Sequence, residues 1–459
     1  MAYNAAMTEI QPSCQVDLAI IGGGAAGVLT AINALRAAAP GQRIALFEPA
    51  SGVAQGIAYA TPWSEHLLNV PAGKMSGFPE QPTDFLDHLL ARREAADATL
   101  AEQYVPRLEY ADYLQQRLTE AEAASAGTLQ VVHDAVISLQ PQSGGHLLQQ
   151  AAGENWQAAQ VVLACGNSMR PLPLPEGNAL PPGKVVDAWD YDGVRMLAGD
   201  QDLAIIGTGL SMADCVVSLL SAGHRGRIHV LSRHALLPLP HAHGGSADFD
   251  PQPLLHGSLR ARMRRLRAHV RAAEAQGLPW QAVMDRIRPL GQALWRSLDE
   301  ADQRRFLRHV VRYWDVHRHR IAESVHEQLT AAEQSGRLQR HRARLDAVLV
   351  QDANLQVHGR GTPPFNVGAL INATGVETRA LGLRNPLLQQ LLGDGFARPG
   401  PHGLGLDADP DTGQLHDTHG APQPGLWLVG SLRIGTLWES LAIPELRLQA
   451  QQAARVAIA

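Results

Sequence analysis

One local pattern occurs twice in this chain, and that repetition limits the possible folds more than any other feature. The first copy is Asp17-Leu-Ala-Ile-Ile-Gly-Gly-Gly-Ala-Ala-Gly27, an apolar strand entering a glycine turn. A helix-forming stretch (Val28 to Ala38) and a second strand (Arg43 to Glu48) follow it. The second copy is Leu203-Ala-Ile-Ile-Gly-Thr-Gly-Leu-Ser-Met212, then a helix-forming stretch, then Arg227-Ile-His-Val-Leu-Ser-Arg233. Glu48 follows Gly22, and Arg233 follows Gly207, by the same separation of 26 positions. A strand–turn–helix–strand unit of this kind is half of a doubly wound nucleotide-binding domain, so the duplication predicts an α/β chain with two Rossmann-like domains.

The rest of the chain is organised around these units. At roughly 150 residues per domain, 459 residues predict about three domains, or two with a large insertion. Short strands are expected at Leu129–Val136, Ala159–Cys165, Leu345–Val357, Gly368–Asn372 and Leu426–Val429, with a Pro-rich crossing over Met169–Pro182. From Pro251 to about Gln339 the apolar residues recur at helical spacing, as in Leu259, Met263, Leu266 and Val270. Roughly half of all arginines lie between Arg260 and Arg344. The resulting plan is a first dinucleotide domain over 1–184, a second over 185–250 and 340–375 inserted in it, an Arg-rich helical insertion or lid over 251–339, and a return to the first domain over 376–459.

Composition removes several classes. With 45% hydrophobic and 18% charged residues the chain is globular, not disordered. A net charge of −5 gives no general attraction to nucleic acid or anionic membrane. The apolar stripe and interspersed acids of the Arg-rich helices point the same way, to a small-molecule partner. No apolar run exceeds strand length, and Met1–Gln15 is polar, so no membrane span or secretory signal is expected and a cytoplasmic location is. Cys14, Cys165 and Cys215 form no CxxC or CxxxxC pair, which removes both a disulfide framework and a redox-active thiol pair. The i,i+2 pairs His241/His243 and His317/His319 are poorly spaced for chelation, so no metal is expected.

The glycine turns carry the binding chemistry. Gly22 permits the tight turn, Gly24 lets a pyrophosphate approach the backbone, and Gly27 allows close strand–helix contact. Glu48 can accept both hydroxyls of an adenosine ribose, which suits FAD. In the second copy Gly207, Gly209 and Ser211 stand at the turn, while Met212 replaces the third glycine and predicts looser packing. Ser232 and Arg233 stand where the first copy has an acid, and they suit the 2′-phosphate of NADPH better than NADH.

The chain resembles the bacterial FAD/NAD(P)-binding proteins with two dinucleotide-binding domains, distantly related to N-hydroxylating flavin monooxygenases. The resemblance rests on Gly56-Ile-Ala-Tyr-Ala-Thr, His66-Leu-Leu-Asn-Val-Pro71, Gly207-Thr-Gly-Leu-Ser-Met-Ala-Asp214, Tyr313-Trp-Asp-Val-His-Arg-His-Arg320 and Gly435-Thr-Leu-Trp-Glu-Ser-Leu-Ala-Ile-Pro-Glu-Leu-Arg447. It implies that Val136 contacts adenine through its backbone and that His66–Met75 lies beside the isoalloxazine, with Asn69 its best polar contact. It implies that Gly430 to Glu439, including Trp438, and the helix after them direct amide donors at the flavin pyrimidine edge. His317 becomes a candidate for the active-site cleft. Cys165 replaces a usual Thr and is expected to be a buried small residue.

A disulfide reductase is excluded by the missing thiol pair. A Baeyer–Villiger type enzyme is disfavoured, since no FxGxxxHxxxW-like linker lies between Leu163 and Leu203. The expected activity is an FAD-dependent, NADPH-using monooxygenase acting on a small nucleophile, such as an amine, through a C4a-(hydro)peroxyflavin. The alternatives are an NAD(P)H-dependent flavin reductase and a flavin-binding sensor without turnover.

Overall fold

A computed structural model describes residues 13–93, 97–175, 180–242 and 244–458. His243 and residues 176–179 of the Pro-rich crossing lie outside the described residues.

The first sheet contains β1 (Cys14–Ile21), β2 (Arg43–Phe47), β3 (Thr128–Val132), β4 (Val136–Gln142), β5 (Gly145–Gln150) and β6 (Asn155–Leu163). The second contains β7 (Val185–Asp187), β8 (Leu203–Ile206), β9 (Ile228–Ser232), β10 (Leu338–Arg342) and β14 (Ala369–Asn372), all parallel, in the order β10-β9-β8-β14-β7. Between β10 and β14, β11 (Arg344–Gln351), β12 (Asn354–Arg360) and β13 (Thr362–Val367) form a separate antiparallel sheet. The chain then returns to the first sheet with β15 (Gln414–His416) and β16 (Pro422–Leu428), giving β15-β16-β6-β1-β2-β3. The second domain is thus inserted in the first. This is the α/β plan the duplication predicts.

The inner parallel strands β2, β8 and β14 are almost wholly apolar because both of their faces are covered. One face of the first sheet packs on the helices Ala25–Ala37, Arg107–Ala124 and Ile443–Ala457, through residues such as Leu29, Ile32, Leu114 and Ala450. Its other face meets the β4–β5 meander and the helix Pro386–Gly393. In the second sheet one face packs on the helices Leu210–Ser221 and Glu323–Gln334, and the other on β11–β13. The two crossings between domains pair with each other. Met169 bridges Val376, Arg170 N donates to Gly375 O at 2.9 Å, and Glu377 N donates to Ser168 O at 2.8 Å.

Three boundaries differ from the sequence reading. The strand expected over Leu129–Val136 ends at Val132, and Val136 opens a different strand, because the chain leaves the parallel sheet to build the meander. The strand expected over Leu345–Val357 is a hairpin that turns at Asp352, whose φ is 51°. The helix Glu323–Gln334 packs through Val325, Leu329 and Ala332 on the second sheet, so it belongs with that domain and not with a lid. The remaining helices, from Leu259 to Arg318, pack through satellite clusters around Val283, Met284, Trp295 and Phe306. They include a π-helical turn at Phe306–Val310.

Candidate functional site

At the first turn Gly22 and Gly27 are each required by a clash with backbone. A Cβ on Gly22, whose φ is 111°, would sit 2.2 Å from Ala164 O, and one on Gly27 would sit 1.7 Å from Gly22 O. Gly24 caps the helix Ala25–Ala37 with backbone alone, leaving that helix terminus free of side-chain acceptors. Across the gap lies Gly56 (φ 50°), close enough that a Cβ added to Gly24 would be 3.5 Å from its Cα. Two bare backbones and a helix N-terminus therefore enclose the gap, a cradle suited to a pyrophosphate. Glu48 is held at its edge. One carboxylate oxygen accepts from Gly23 N at 2.7 Å and the other from Ala50 N at 3.0 Å. Both oxygens keep lone pairs for ribose hydroxyls.

Beyond the cradle the chain meets the second domain along a polar seam. His66 is buried and both of its ring nitrogens are engaged, Nδ1 with Thr61 Oγ1 at 2.6 Å and Nε2 with Ser218 Oγ at 2.7 Å. Burial pushes its pKa below the ordinary histidine value. His66 was expected to hold cofactor. In the structure its ring ties the two domains, because both nitrogens face protein hydroxyls. Beside it Arg107 donates to both carboxylate oxygens of Asp214, at 2.8 and 3.0 Å. Asn69 presents its carbonyl to His241 Nε2 at 3.0 Å, and its side-chain amide is half-buried with no partner among the described residues. Burial and the nearby Arg320 cation lower the pKa of His241 to about 4.

The second turn repeats the first with the expected differences. Gly207 (φ 122°) would place a Cβ 1.9 Å from Ala373 O, and Gly209 caps the helix Leu210–Ser221. Met212 is fully buried where the first copy has Gly27, and it packs in the domain core. Ser211 is half-buried in the first turn of that helix. Ser232 Oγ pairs with Thr208 Oγ1 at 2.9 Å and accepts from Ala235 N at 2.9 Å, which fixes the hydroxyl at the carboxyl end of β9. Arg233 is exposed beside it. Arg342, at the end of β10, is in register with Ser232. Burial, and after it the charges of Arg233, Arg342 and Arg312, lower the pKa of His234, whose ring lies 6.2 Å from that of Tyr313. The sequence reading found one of these arginines. The other two converge through strand pairing and a helix distant in sequence.

The C-terminal loop is held by the insertion. Gly430 (φ 92°) donates to Gln449 Oε1 at 3.0 Å. Trp438 takes φ 61°, a strained value for a bulky residue, and stacks on Trp295 with centroids 5.0 Å apart. Glu439 is buried, pairs with Arg318 at 3.0 Å and accepts from Trp314 Nε1 at 3.2 Å. Both side chains thus face the insertion. His317 is likewise engaged locally, with Nδ1 at 2.7 Å from Tyr313 O and its ring 4.7 Å from Trp280. Val136 is buried in the core at the start of β4. The backbone that reaches the Glu48 edge is one turn earlier, where Glu48 N donates to Val132 O at 2.9 Å and His133 Nδ1 bonds Ala50 O at 2.8 Å. Arg107 and Asp214 were not singled out as site residues. Arg318, which the resemblance places with His317 at the cleft, is buried against Glu439.

Among the described residues no group of three or more His, Cys, Asp or Glu is placed to hold a metal, and no helix is long and apolar enough to cross a membrane. Residues 19–168 match a family model described as FAD-NAD(P)-binding. By sequence, no curated protein matches the chain. By structure it is similar to the ornithine N-hydroxylase of Kutzneria sp. 744, solved with reduced FAD, NADP+ and L-ornithine (TM-score 0.64, 15% identity, covering 96% of this chain and 99% of that one). It is similar to the L-lysine 6-monooxygenase of Pseudomonas syringae (0.63, 18%, 96% and 99%). It is also similar to the bacillithiol disulfide reductase of Staphylococcus aureus (0.57, 13%, 96% and 98%). Residues 19–168 are therefore a FAD-NAD(P)-binding domain, set in a chain with the two-dinucleotide-domain flavoprotein fold.

Proposed function

We infer that this chain is an FAD-dependent, NADPH-using oxidoreductase, and specifically a single-component flavin monooxygenase acting on a small nucleophilic substrate such as an amine. The observation that carries the choice among flavoprotein activities is the state of its thiols. Burial pushes the Cys165 thiol up to about 12 and raises that of Cys215, and Cys14 opens the edge of β1 far along the strand from the turn. Three separated cysteines, two of them held as thiols, cannot relay electrons as a dithiol does. Of the similar structures, two are an ornithine N-hydroxylase and an L-lysine 6-monooxygenase, whereas the third is a reductase of bacillithiol disulfide.

Bound FAD would supply hydride acceptance from the nicotinamide and activation of dioxygen. The chain's own residues would hold and orient the partners. Gly22, Gly24, Gly56 and the helix after them cradle the pyrophosphate, and Glu48 accepts the ribose hydroxyls. Asn69 offers a free amide at the seam. Gly207, Gly209 and Ser211 repeat the cradle for NADPH, with Ser232 and Arg233 at its 2′-phosphate. The Arg318–Glu439 pair ties the Leu259–Arg318 helices to the C-terminal loop.

The test is anaerobic mixing of the flavin-loaded protein with NADPH or NADH, followed by an oxygen pulse and a spectral record. Reduction by NADPH, then a lasting spectral species distinct from both oxidised and reduced flavin, is expected. Immediate return to oxidised flavin with release of hydrogen peroxide would favour the reductase reading. Failure of either nucleotide to reduce the flavin would leave the sensor reading.

A further inference from the structure

We propose that the cavity between the helical insertion and the C-terminal helix binds an organic oxyanion, a carboxylate or a phosphate ester, through Arg288 and Arg433. The cavity measures about 530 Å³, and its wall includes Arg288, Gln292, Arg433, Leu437, Glu445 and Gln449. It lies outside both dinucleotide cradles.

Buried charge normally finds a counter-charge, since an unpaired ion costs several kcal/mol to desolvate. Most of the acids around this cavity are already paired. Glu439 and Glu445 lie 3.0 and 3.6 Å from Arg318, and Asp411 lies 3.1 Å from Arg296. The Asp409 carboxylate accepts from the Asp411 and Thr412 amides and the Thr412 hydroxyl. Arg433 is only 3% exposed, yet among the described residues no carboxylate lies within ion-pair distance of it. One of its nitrogens donates to Asp409 O and Pro410 O at 3.0 and 2.9 Å, and its Nε is buried with no partner. Arg288 is half-buried, with Glu445, Asp285 and Glu439 near its charge, and it keeps one nitrogen, Nη2, buried and unbonded. Burial lowers both guanidinium pKa values, that of Arg433 to about 10. Two such donors on one wall are what a bound oxyanion would satisfy, since guanidinium N–H groups match carboxylate and phosphate oxygens in geometry.

The rest of the wall sets the kind of molecule. Leu437, Leu448, Pro289, Pro410 and Pro444 give apolar surface, and three glutamines give amides, so the anion carries a short organic body. Glu445 faces the cavity with Oε2 unbonded, and burial raises its pKa. Gln449 links the cavity to the loop the flavin reading uses. Its Oε1 accepts from Gly430 N and its Nε2 donates to Ser440 O at 3.2 Å, so a ligand touching Gln449 bears on both ends of Gly430–Ser440.

The test is calorimetric titration of the flavin-loaded protein with butyrate and, separately, with butyl phosphate. Binding of at least one is expected, and the tighter of the two identifies the head group. Arg433→Gln and Arg288→Gln should each weaken it by at least about tenfold, since each removes a charge-assisted donor. Leu448→Glu places a like charge at a position that is 55% exposed, and it should weaken binding in a protein that folds normally even if Arg433→Gln does not. No binding to either probe at concentrations on the order of 10 mM, a range set by the affinity of the weakest specific ligands, overturns the proposal. Affinity unchanged in Arg288→Gln and Leu448→Glu overturns it equally. Binding heats are read without reference to turnover, so this result stands apart from the monooxygenase assignment.

Discussion

Glu48 and Arg233 occupy the same position in two copies of one unit, and in the proposed function their opposite charges assign FAD to one copy and NADPH to the other. Glu48 is fixed by two backbone amides, so its charge is preorganised for ribose hydroxyls. Replacing it with Ala should weaken FAD retention by roughly tenfold or more, read as free flavin after gel filtration, because charge-assisted hydrogen bonds contribute about 1.5–3 kcal/mol. At the other position Arg233 is exposed, and Arg342 lies in register with its neighbour Ser232. Arg233→Ala should raise the Kd for NADPH by about tenfold and leave NADH within about twofold, since only NADPH carries the extra phosphate. Equal losses for both nucleotides, or none, would remove the assignment. Arg342→Ala tests whether the phosphate is also read from β10.

Turns, strands and helices were legible in proportion to how local their causes are. Gly22, Gly27 and Gly207 are dictated by backbone oxygens within about 2 Å of a Cβ position, a constraint that the glycine pattern displays directly. Gly56 carries the same kind of information, but its partner Gly24 lies 32 positions away, so its part in the cradle appears only once the chain is folded. The reading of Leu345–Val357 as one strand missed the turn at Asp352, because apolar alternation resumes with the same period on both sides of it. His66 shows the limit in a side chain. Its motif was recognisable, yet its partner Ser218 comes from a different domain. The same seam supplies a prediction at the scale of elements. Arg107 and Asp214 join the helix Arg107–Ala124 to the helix Leu210–Ser221 with side chains 11% and 18% exposed. Arg107→Ala should lower the first urea transition by on the order of 2 kcal/mol, below the full value for a buried pair because some solvent reaches it. The double variant Arg107→Ala with Asp214→Ala should cost less than the sum of the single changes. Strict additivity would mean that the two groups do not interact.

At the scale of the whole molecule, the seam between the two domains carries a pH response. His66 and His241 both lie on it, and burial lowers both pKa values, that of His241 to about 4. A histidine whose folded pKa lies below its unfolded value, 6.5, binds its proton less readily when folded, so acid favours the unfolded or opened form. The stabilisation is present above 6.5 and is lost as the pH falls toward 4, at about 1.4 kcal/mol for each unit of pKa difference. Asp315 and Glu445 act in the opposite direction, because burial raises their pKa values and the folded state then holds the proton more tightly. Neither lies on the seam: both belong to the junction of the Leu259–Arg318 helices with the C-terminal loop, where they oppose His319, whose pKa burial lowers. Acidification should therefore loosen the contact between domains before it loosens that junction. Hydrogen exchange at pH 5 and pH 7.5 separates the two. Amides of Leu68 and Arg107, which bond across the strand-like contact at His66–Leu68, should gain exchange at pH 5. Those of Glu445 and Leu446 should not. His241 Nε2 must carry its proton to donate to the Asn69 carbonyl, and a glutamine amide can make the same bond without titrating. His241→Gln should keep the seam closed and flatten the fall in melting temperature between pH 7 and pH 5, and an unchanged slope would place the acid sensitivity elsewhere.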